Sequence, residues 1–246
     1  MQANGLTFSI TAHAAWAPGI VTPGEWEVWA KAPYRIGEGA DPALRAMPPM
    51  LRRRAGFLGK MALEVAYACL DGRTGVPTVF CSRHGEVSRA VDLLGELAQG
   101  QALSPTGFGL AVHNASAGLF SIARADRANH IALAGGATSI EHGVVEACGL
   151  LADGAPEVLL VAYDCPLPQP LAQFEDCDEQ PYAWAWLMTA AGADPIRLGL
   201  EPAGANPQSQ HGAMPAGLGV LRFQLSGAAR HEHVSGGQRW SWTRDV

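Results

Sequence analysis

Apolar and polar residues alternate over residues 6–16 (LTFSITAHAAW), the two-residue period of a strand with one covered face. Residues 50–70 change period. Leu51, Ala55, Leu58, Ala62, Val65 and Cys69 recur at steps of four and three, which lines one face of a helix, and Phe57 and Met61 widen it. Asp71-Gly72 ends this helix, and residues 76–82 (VPTVFCS) read as a short apolar strand. A second amphipathic helix over 86–99 runs through Val87, Ala90, Val91, Leu94 and Leu97 until Gly100 stops it. The pattern then predicts a strand at 108–113, a helix at 119–125 and a strand at 130–134. After the Gly135-Gly136 turn come a helix from about 140 to 151 and a buried strand at 157–163. Strands separated by helices predict parallel pairing through right-handed crossovers, hence an α/β fold layered helix–sheet–helix.

Two stretches break this rhythm. Residues 17–49 are rich in Pro, Gly and Trp and read as an irregular excursion anchored by Trp16, Trp26 and Trp29. Residues 164–181 carry four prolines and no period, so they read as a loop. Beyond them come strand-like runs at 183–190, 196–201 and 218–225, an alternating segment around Trp240 and Trp242, and loops at 203–217 and 227–238. Without an internal repeat or a linker, residues 1–246 read as one domain.

Composition narrows the function classes. Hydrophobic residues make up 48% and charged residues 16%, enough apolar surface for a sizeable core. The formal charge is -6, and basic residues cluster only at Arg52-Arg53-Arg54. A nucleic-acid binder needs a basic face to displace counterions, so no nucleic-acid partner is expected. No apolar run reaches the ~20 residues that span a bilayer, and residues 1–11 hold no base, which argues against a signal peptide. Five cysteines without a CxxC pair read as free thiols in a reducing, cytoplasmic setting.

Several residue groups have the elements of chemistry. Cys81, Ser82, His84 and Glu86 cluster at a strand end, but neighbouring strand residues point to opposite faces, which favours a structural role. Asn114-Ala115-Ser116-Ala117-Gly118 approaches the G-x-S-x-G nucleophile elbow. Asp164 or Asp176 followed by His211 would supply the chain order of a hydrolase, so a serine hydrolase or acyltransferase using Ser116 is the alternative enzyme. His113, His130 and His142 lack metal-ligand spacing, so no metal is expected.

The segments 104–118 (SPTGFGLAVHNASAG) and 130–163 (HIALAGGATSIEHGVVEACGLLADGAPEVLLVAYD) together resemble the N-terminal half of β-ketoacyl synthases, within the thiolase-like fold. Residues 50–70 and 80–86 (FCSRHGE) are similar to the short ketosynthase-like proteins of aryl polyene pigment clusters, chain-length factors that partner a true ketosynthase. The resemblance spans roughly residues 6–190. It implies a nucleophilic cysteine between strand and helix, yet the chain reads Ala134-Gly135-Gly136-Ala137-Thr138, with Gly136 at that position. Glycine offers no thiolate to hold an acyl thioester. The family also draws two histidines from a C-terminal half that this chain is expected not to complete, which makes it a truncated ketosynthase-like domain.

What the resemblance implies is a subunit without independent activity and without a cofactor, paired with a catalytic ketosynthase and visited by an acyl carrier protein. Strand 130–134 and helix 140–151 would face the partner, and self-pairing through the same surface is the other arrangement. Phe108, Asn114, Phe120 and Ile140 are the expected tunnel or interface residues, with ordinary core as the competing reading. Arg52, Arg53 and Arg54 sit where a helix begins, against its dipole, and are the expected carrier-binding residues, unless they form a solvated face.

Overall fold

The computed structural model describes residues 5–204 and 213–244. One eight-stranded sheet organises them, in the order β3-β2-β4-β5-β1-β6-β8-β7. Its strands are β1 (Leu6–Trp16), β2 (Thr78–Cys81), β3 (His130–Leu133), β4 (Val158–Asp164), β5 (Tyr182–Ala190), β6 (Ile196–Pro202), β7 (Arg230–Ser235) and β8 (Gln238–Arg244). The helices are α1 (Pro23–Lys31), α2 (Pro49–Arg52), α3 (Phe57–Leu70), α4 (Val87–Ala98), α5 (Pro105–Gly109), α6 (Ala115–Arg124), α7 (Ser139–Ala152) and α8 (Ala216–Ser226).

Among the described residues parallel pairing holds only where helices intervene, between β2 and β3 and between β2 and β4. From β4 through β5, β1, β6 and β8 to β7 every pairing is antiparallel. The sheet is therefore mixed rather than parallel throughout, because the later strands are joined without a covering helix except at α8.

Each face of the sheet carries a core. One gathers Phe8, Val79, Cys81, Leu160, Trp184, Trp186 and Trp242 against α7, α8 and the tryptophans of α1. Trp184 and Trp186 lie two residues apart on one strand face, with ring centroids 4.4 Å apart. The other core sets Phe80, Leu159, Val161 and Leu187 against α3 and α6. Phe120 meets Tyr67 and Phe80 at centroid distances of 5.0 and 5.8 Å.

Several segments differ from the sequence reading. The 17–49 excursion contains α1, started by a capping box between Thr22 and Glu25 with Pro23 in the first turn. Trp26 and Trp29 are buried as expected. The 50–70 helix is broken into α2 and α3 by the turn at Arg53–Gly56. Residues 108–113 form no strand. Ser104 caps α5 by accepting from the Gly107 N–H, and α6 begins at Ala115, four residues earlier than the periodicity indicates. Residues 218–225 are helix α8 rather than a strand: Leu218, Leu221 and Phe223 all face one core, which a two-residue period cannot arrange. Residues 230–235, read as loop, pair with β8 as the edge strand β7.

Candidate functional site at the turn after β3

β3 ends at Leu133 and passes through Ala134 and Gly135 into a short 3-10 turn (Gly136–Thr138) that leads directly into α7. Gly136 has φ +58° and is exposed, with nothing within 4 Å of the place a Cβ would occupy. The turn is thus a strand-to-helix elbow that presents one residue in the left-handed region to solvent, and that residue has no side chain. Ser139 secures the elbow from behind: its Oγ accepts from the Gly135 N–H at 2.9 Å and donates to the Gly136 carbonyl at 2.7 Å.

No cysteine of the described residues offers an activated thiol at this elbow. Cys81, at the end of the neighbouring strand, is fully buried and donates to the Ser139 carbonyl at 2.7 Å. Burial pushes its thiol well above the usual range. Burial also raises Cys69 to about 12 and Cys148 and Cys177 to about 11, and moves Cys165 in the same direction. A nucleophilic cysteine needs the opposite shift.

The residues after β2 form a separate hydrogen-bonded network. Asp164 accepts from the Ser82 hydroxyl at 2.9 Å, the Arg83 N–H at 2.8 Å and the Tyr182 hydroxyl at 3.2 Å. Burial raises its pKa, and the Arg83 backbone donor partly offsets this. The side chain of Arg83 reaches Asp176, the Cys177 sulfur at 2.8 Å and Glu179 at 3.5 Å, while His84 Nε2 lies 3.0 Å from Glu179. One ligand atom each from Asp176, Cys177 and Glu179 gather within 4.8 Å, and the Arg83 guanidinium supplies their positive charge. Cys81, Ser82, His84 and Glu86 therefore do not converge. Ser82 turns to Asp164, His84 to Glu179, and Glu86 to the glycine face of α3 at Gly56 and Gly59.

Ser116 is 1% exposed. Its Oγ lies beside Gly59, Glu86 and Tyr163 and has no hydrogen-bond partner of normal geometry. Asp164 and Asp176, its suggested acid partners, are engaged by Ser82, Tyr182 and Arg83, and His211 lies outside the described residues. The hydrolase constellation is not assembled among the described residues.

The other singled-out residues separate into two groups. Phe120 and Ile140 are core residues on opposite faces of the sheet. Phe108 is 65% exposed and Asn114 is exposed as well. Arg52 donates to the carbonyls of Ala43 and Leu44, both at 3.2 Å, whereas Arg53 and Arg54 are exposed.

A feature that the sequence reading misses adjoins the elbow. A pocket of about 560 Å³ is lined by His113, Asn114, His130, Ala132 and Ala134. His130, Ala132 and Ala134 share one face of β3 by strand alternation, so the period-2 pattern already holds the signal. Among the described residues β3 is also a free sheet edge, and its four residues are half-buried and include no Asp, Glu, Lys or Arg. β7 at the opposite edge carries Arg230 and Glu232, paired with each other, and Arg239 joins them. Charges of this kind protect an edge from further pairing, and β3 lacks them. Near β3 in the chain, Leu94, Leu97, Leu103, Phe108 and Val112 expose apolar side chains, and α4 buries no residue fully.

The comparisons place this architecture. Residues 26–243 match the family described as β-ketoacyl synthase, N-terminal domain. A chain of the complex of the ketosynthase ApeO with its chain length factor ApeC from Xenorhabdus doucetiae is 26% identical, with a TM-score of 0.86 over 97% of this chain and 100% of that chain. A β-ketoacyl synthase from Burkholderia phymatum shares the fold at 12% identity, with a TM-score of 0.60 over 92% of this chain and 71% of that one. A chain from the type II complex AntDE:AntF, an acyl-carrier protein with its ketosynthase bound to the hexaketide, superposes at 10% identity and a TM-score of 0.68 over 98% and 99% of the two chains. No curated protein sequence matches the chain.

Proposed function

Because the chain belongs to the β-ketoacyl synthase N-terminal domain family, we propose that it is a non-catalytic, chain-length-factor-type subunit that pairs with a catalytic ketosynthase in type II polyketide biosynthesis, in an aryl polyene pathway. The observation that carries this reading is the elbow itself. It has the strand–turn–helix form that presents a nucleophile, with Gly136 exposed at its tip and every cysteine of the chain raised by burial. Condensation then occurs on the partner, and this chain contributes interface and tunnel wall. The uncharged edge β3 with α7 behind it forms the seam, as the family resemblance implies, and strand addition satisfies its free backbone groups. Phe108 and Asn114 stand at the surface where a tunnel wall can be shared. Arg53 and Arg54 offer cations to the phosphate arm of an acidic carrier protein. The similarity to a chain of the ApeO–ApeC complex over its whole length supports the pairing.

Co-expression with the ketosynthase encoded nearest to this chain tests the proposal through the mass of the purified complex. A stoichiometric heterodimer is expected; a chain that stays apart from the ketosynthase would sink it. A second expectation concerns the elbow. Gly136→Cys should give a thiol alkylated by iodoacetamide at least ~10-fold faster than the native cysteines, since exposure and thiolate fraction govern the rate. The isolated variant should still not condense acyl and malonyl units, and condensation by the wild-type chain alone would contradict the proposal.

A further inference from the structure

The elbow is also held from a second side, by strands at the far edge of the sheet. β7 ends the strand order that β3 begins. Even so, the β7–β8 hairpin meets the first turn of α7, directly behind the elbow. Glu141 is fully buried, and its Oε1 lies 2.8 Å from Nδ1 of His233, itself only 6% exposed. The next residue, His142, sets its ring edge-on to that of Trp240, with centroids 5.4 Å apart. His233 and Trp240 face each other in the β7–β8 ladder, so both contacts come from one rung of the hairpin. His142 in turn leans on the elbow. Its Nδ1 lies 2.8 Å from the Thr138 carbonyl, and a Cβ on Gly135 would stand 3.1 Å from that same nitrogen. A continuous chain of contacts therefore runs from the hairpin through Glu141 and His142 to Gly135.

Packing alone does not account for a carboxylate at this place. Taking an acid and a base out of water costs about as much as their attraction returns, and an apolar pair of similar volume would hold the two surfaces as firmly. What an apolar pair lacks is direction, whereas a hydrogen bond fixes register. Among the described residues Glu141 Oε2 has no hydrogen-bond partner, so His233 sets the direction of the carboxylate. We infer that the β7–β8 hairpin is a clasp on the elbow, with Glu141 and His233 as positioning residues that hold residues 135–138 in the shape the partner subunit meets. That the elbow meets a partner rests on the subunit reading above; that the clasp fixes the elbow does not.

The test is hydrogen exchange of the full chain, alone, read by mass spectrometry. The Gly135 N–H donates to Ser139 Oγ and the Thr138 N–H to the Gly135 carbonyl, so a peptide over residues 134–139 reports opening of the elbow. In the double variant Glu141→Leu with His233→Leu, which keeps apolar volume and loses the directed bond, these amides should exchange at least ~10-fold faster. Glu141→Gln, whose amide oxygen still accepts from His233, should exchange as the wild type does. His233→Asn, which keeps a donor where Nδ1 stood, set against His233→Leu repeats the contrast from the hairpin side if the double variant does not fold. Leu63→Ala, in the core on the other face of the sheet, is the control for lost stability: it should melt earlier and leave the elbow unchanged. Unchanged exchange on loss of the bond, or equal acceleration in Glu141→Gln or Leu63→Ala, would overturn the clasp. In the ketosynthase complex the double variant should also weaken pairing at least ~10-fold by sedimentation velocity. Faster elbow exchange with pairing intact would overturn the bearing of the clasp on the partner. A clasp found in a chain that pairs with no ketosynthase supports the inference and overturns the subunit reading.

Discussion

Ala132→Pro is expected to abolish pairing with the ketosynthase while leaving the chain folded. In the β2–β3 ladder the Thr78 N–H donates to Asn129 and the Ser82 N–H to Leu133, so β3 turns the carbonyls of its odd-numbered residues toward β2. The alternation of a parallel ladder leaves the N–H groups of His130 and Ala132 on the free edge. Proline at 132 removes one of those donors and sets its ring across the edge, yet breaks no bond to β2. Edge strands tolerate proline, so the change in stability of the isolated chain should be small. At a strand-addition seam the partner's acceptor would be left buried and unpaired, a cost of ~1–3 kcal/mol before the clash of the ring is added. Dissociation roughly 100-fold easier or more follows from ~2.7 kcal/mol. Sedimentation velocity of the co-purified complex reads this directly. Unchanged pairing would move the seam away from β3, to the apolar residues of α4 and α5.

Gly217→Ala is expected to destabilise the chain by ~3 kcal/mol or more, at the upper end of what overpacking a core costs. The added Cβ would lie 2.2 Å from the Tyr182 oxygen and 2.7 Å from its Cζ. Neither side can retreat easily. Tyr182 is fully buried and tied to Asp164 at 3.2 Å, and the Gly217 carbonyl accepts from the Trp184 indole at 2.9 Å. A chain of this size loses about 2–4 °C of melting temperature per kcal/mol, so a fall of roughly 6–12 °C should appear in a calorimetric or circular-dichroism melt. A loss under ~2 °C would mean that α8 shifts off the sheet more freely than its packing indicates. The same substitution tests the region after residue 215 as part of the core.

The elements with one covered face are legible in the chain's own pattern. α3, α4 and α7 follow from helical periodicity, because each turns one side to water, and β1, β3 and β4 follow from short alternating or apolar runs between turn residues, β4 being buried on both faces. α8 reads as a strand because Leu218, Val220, Leu221 and Phe223 crowd a short apolar run, which periodicity cannot divide between strand and helix. α5 escapes the pattern because Ser104 and Pro105 start a helix whose five residues are too few to show a period. β7 carries Arg230, His231, Glu232 and His233, polar side chains that suit a sheet edge and resemble a loop.

The site divides in the same way. That the elbow presents no side chain is readable at Gly136, since a side chain missing from the sequence is missing from every conformation. The local spacing of Cys81, Ser82, His84 and Glu86 correctly argues against a shared centre, and the fold sends the last three to different partners. The pocket of His113, Asn114 and His130 needs the fold, because it joins the start of α6 to the edge strand, sixteen and more residues apart. By itself the sequence determined the local periods, the turn residues and the bare glycine at the elbow, all set within a few residues of chain. The tertiary structure decided that β3 is an unprotected edge, that β7 is a charged one, and that Ser116 is sealed inside. Edge, interior and pocket depend on which distant segments arrive beside a residue, and short-range pattern carries no record of that arrival.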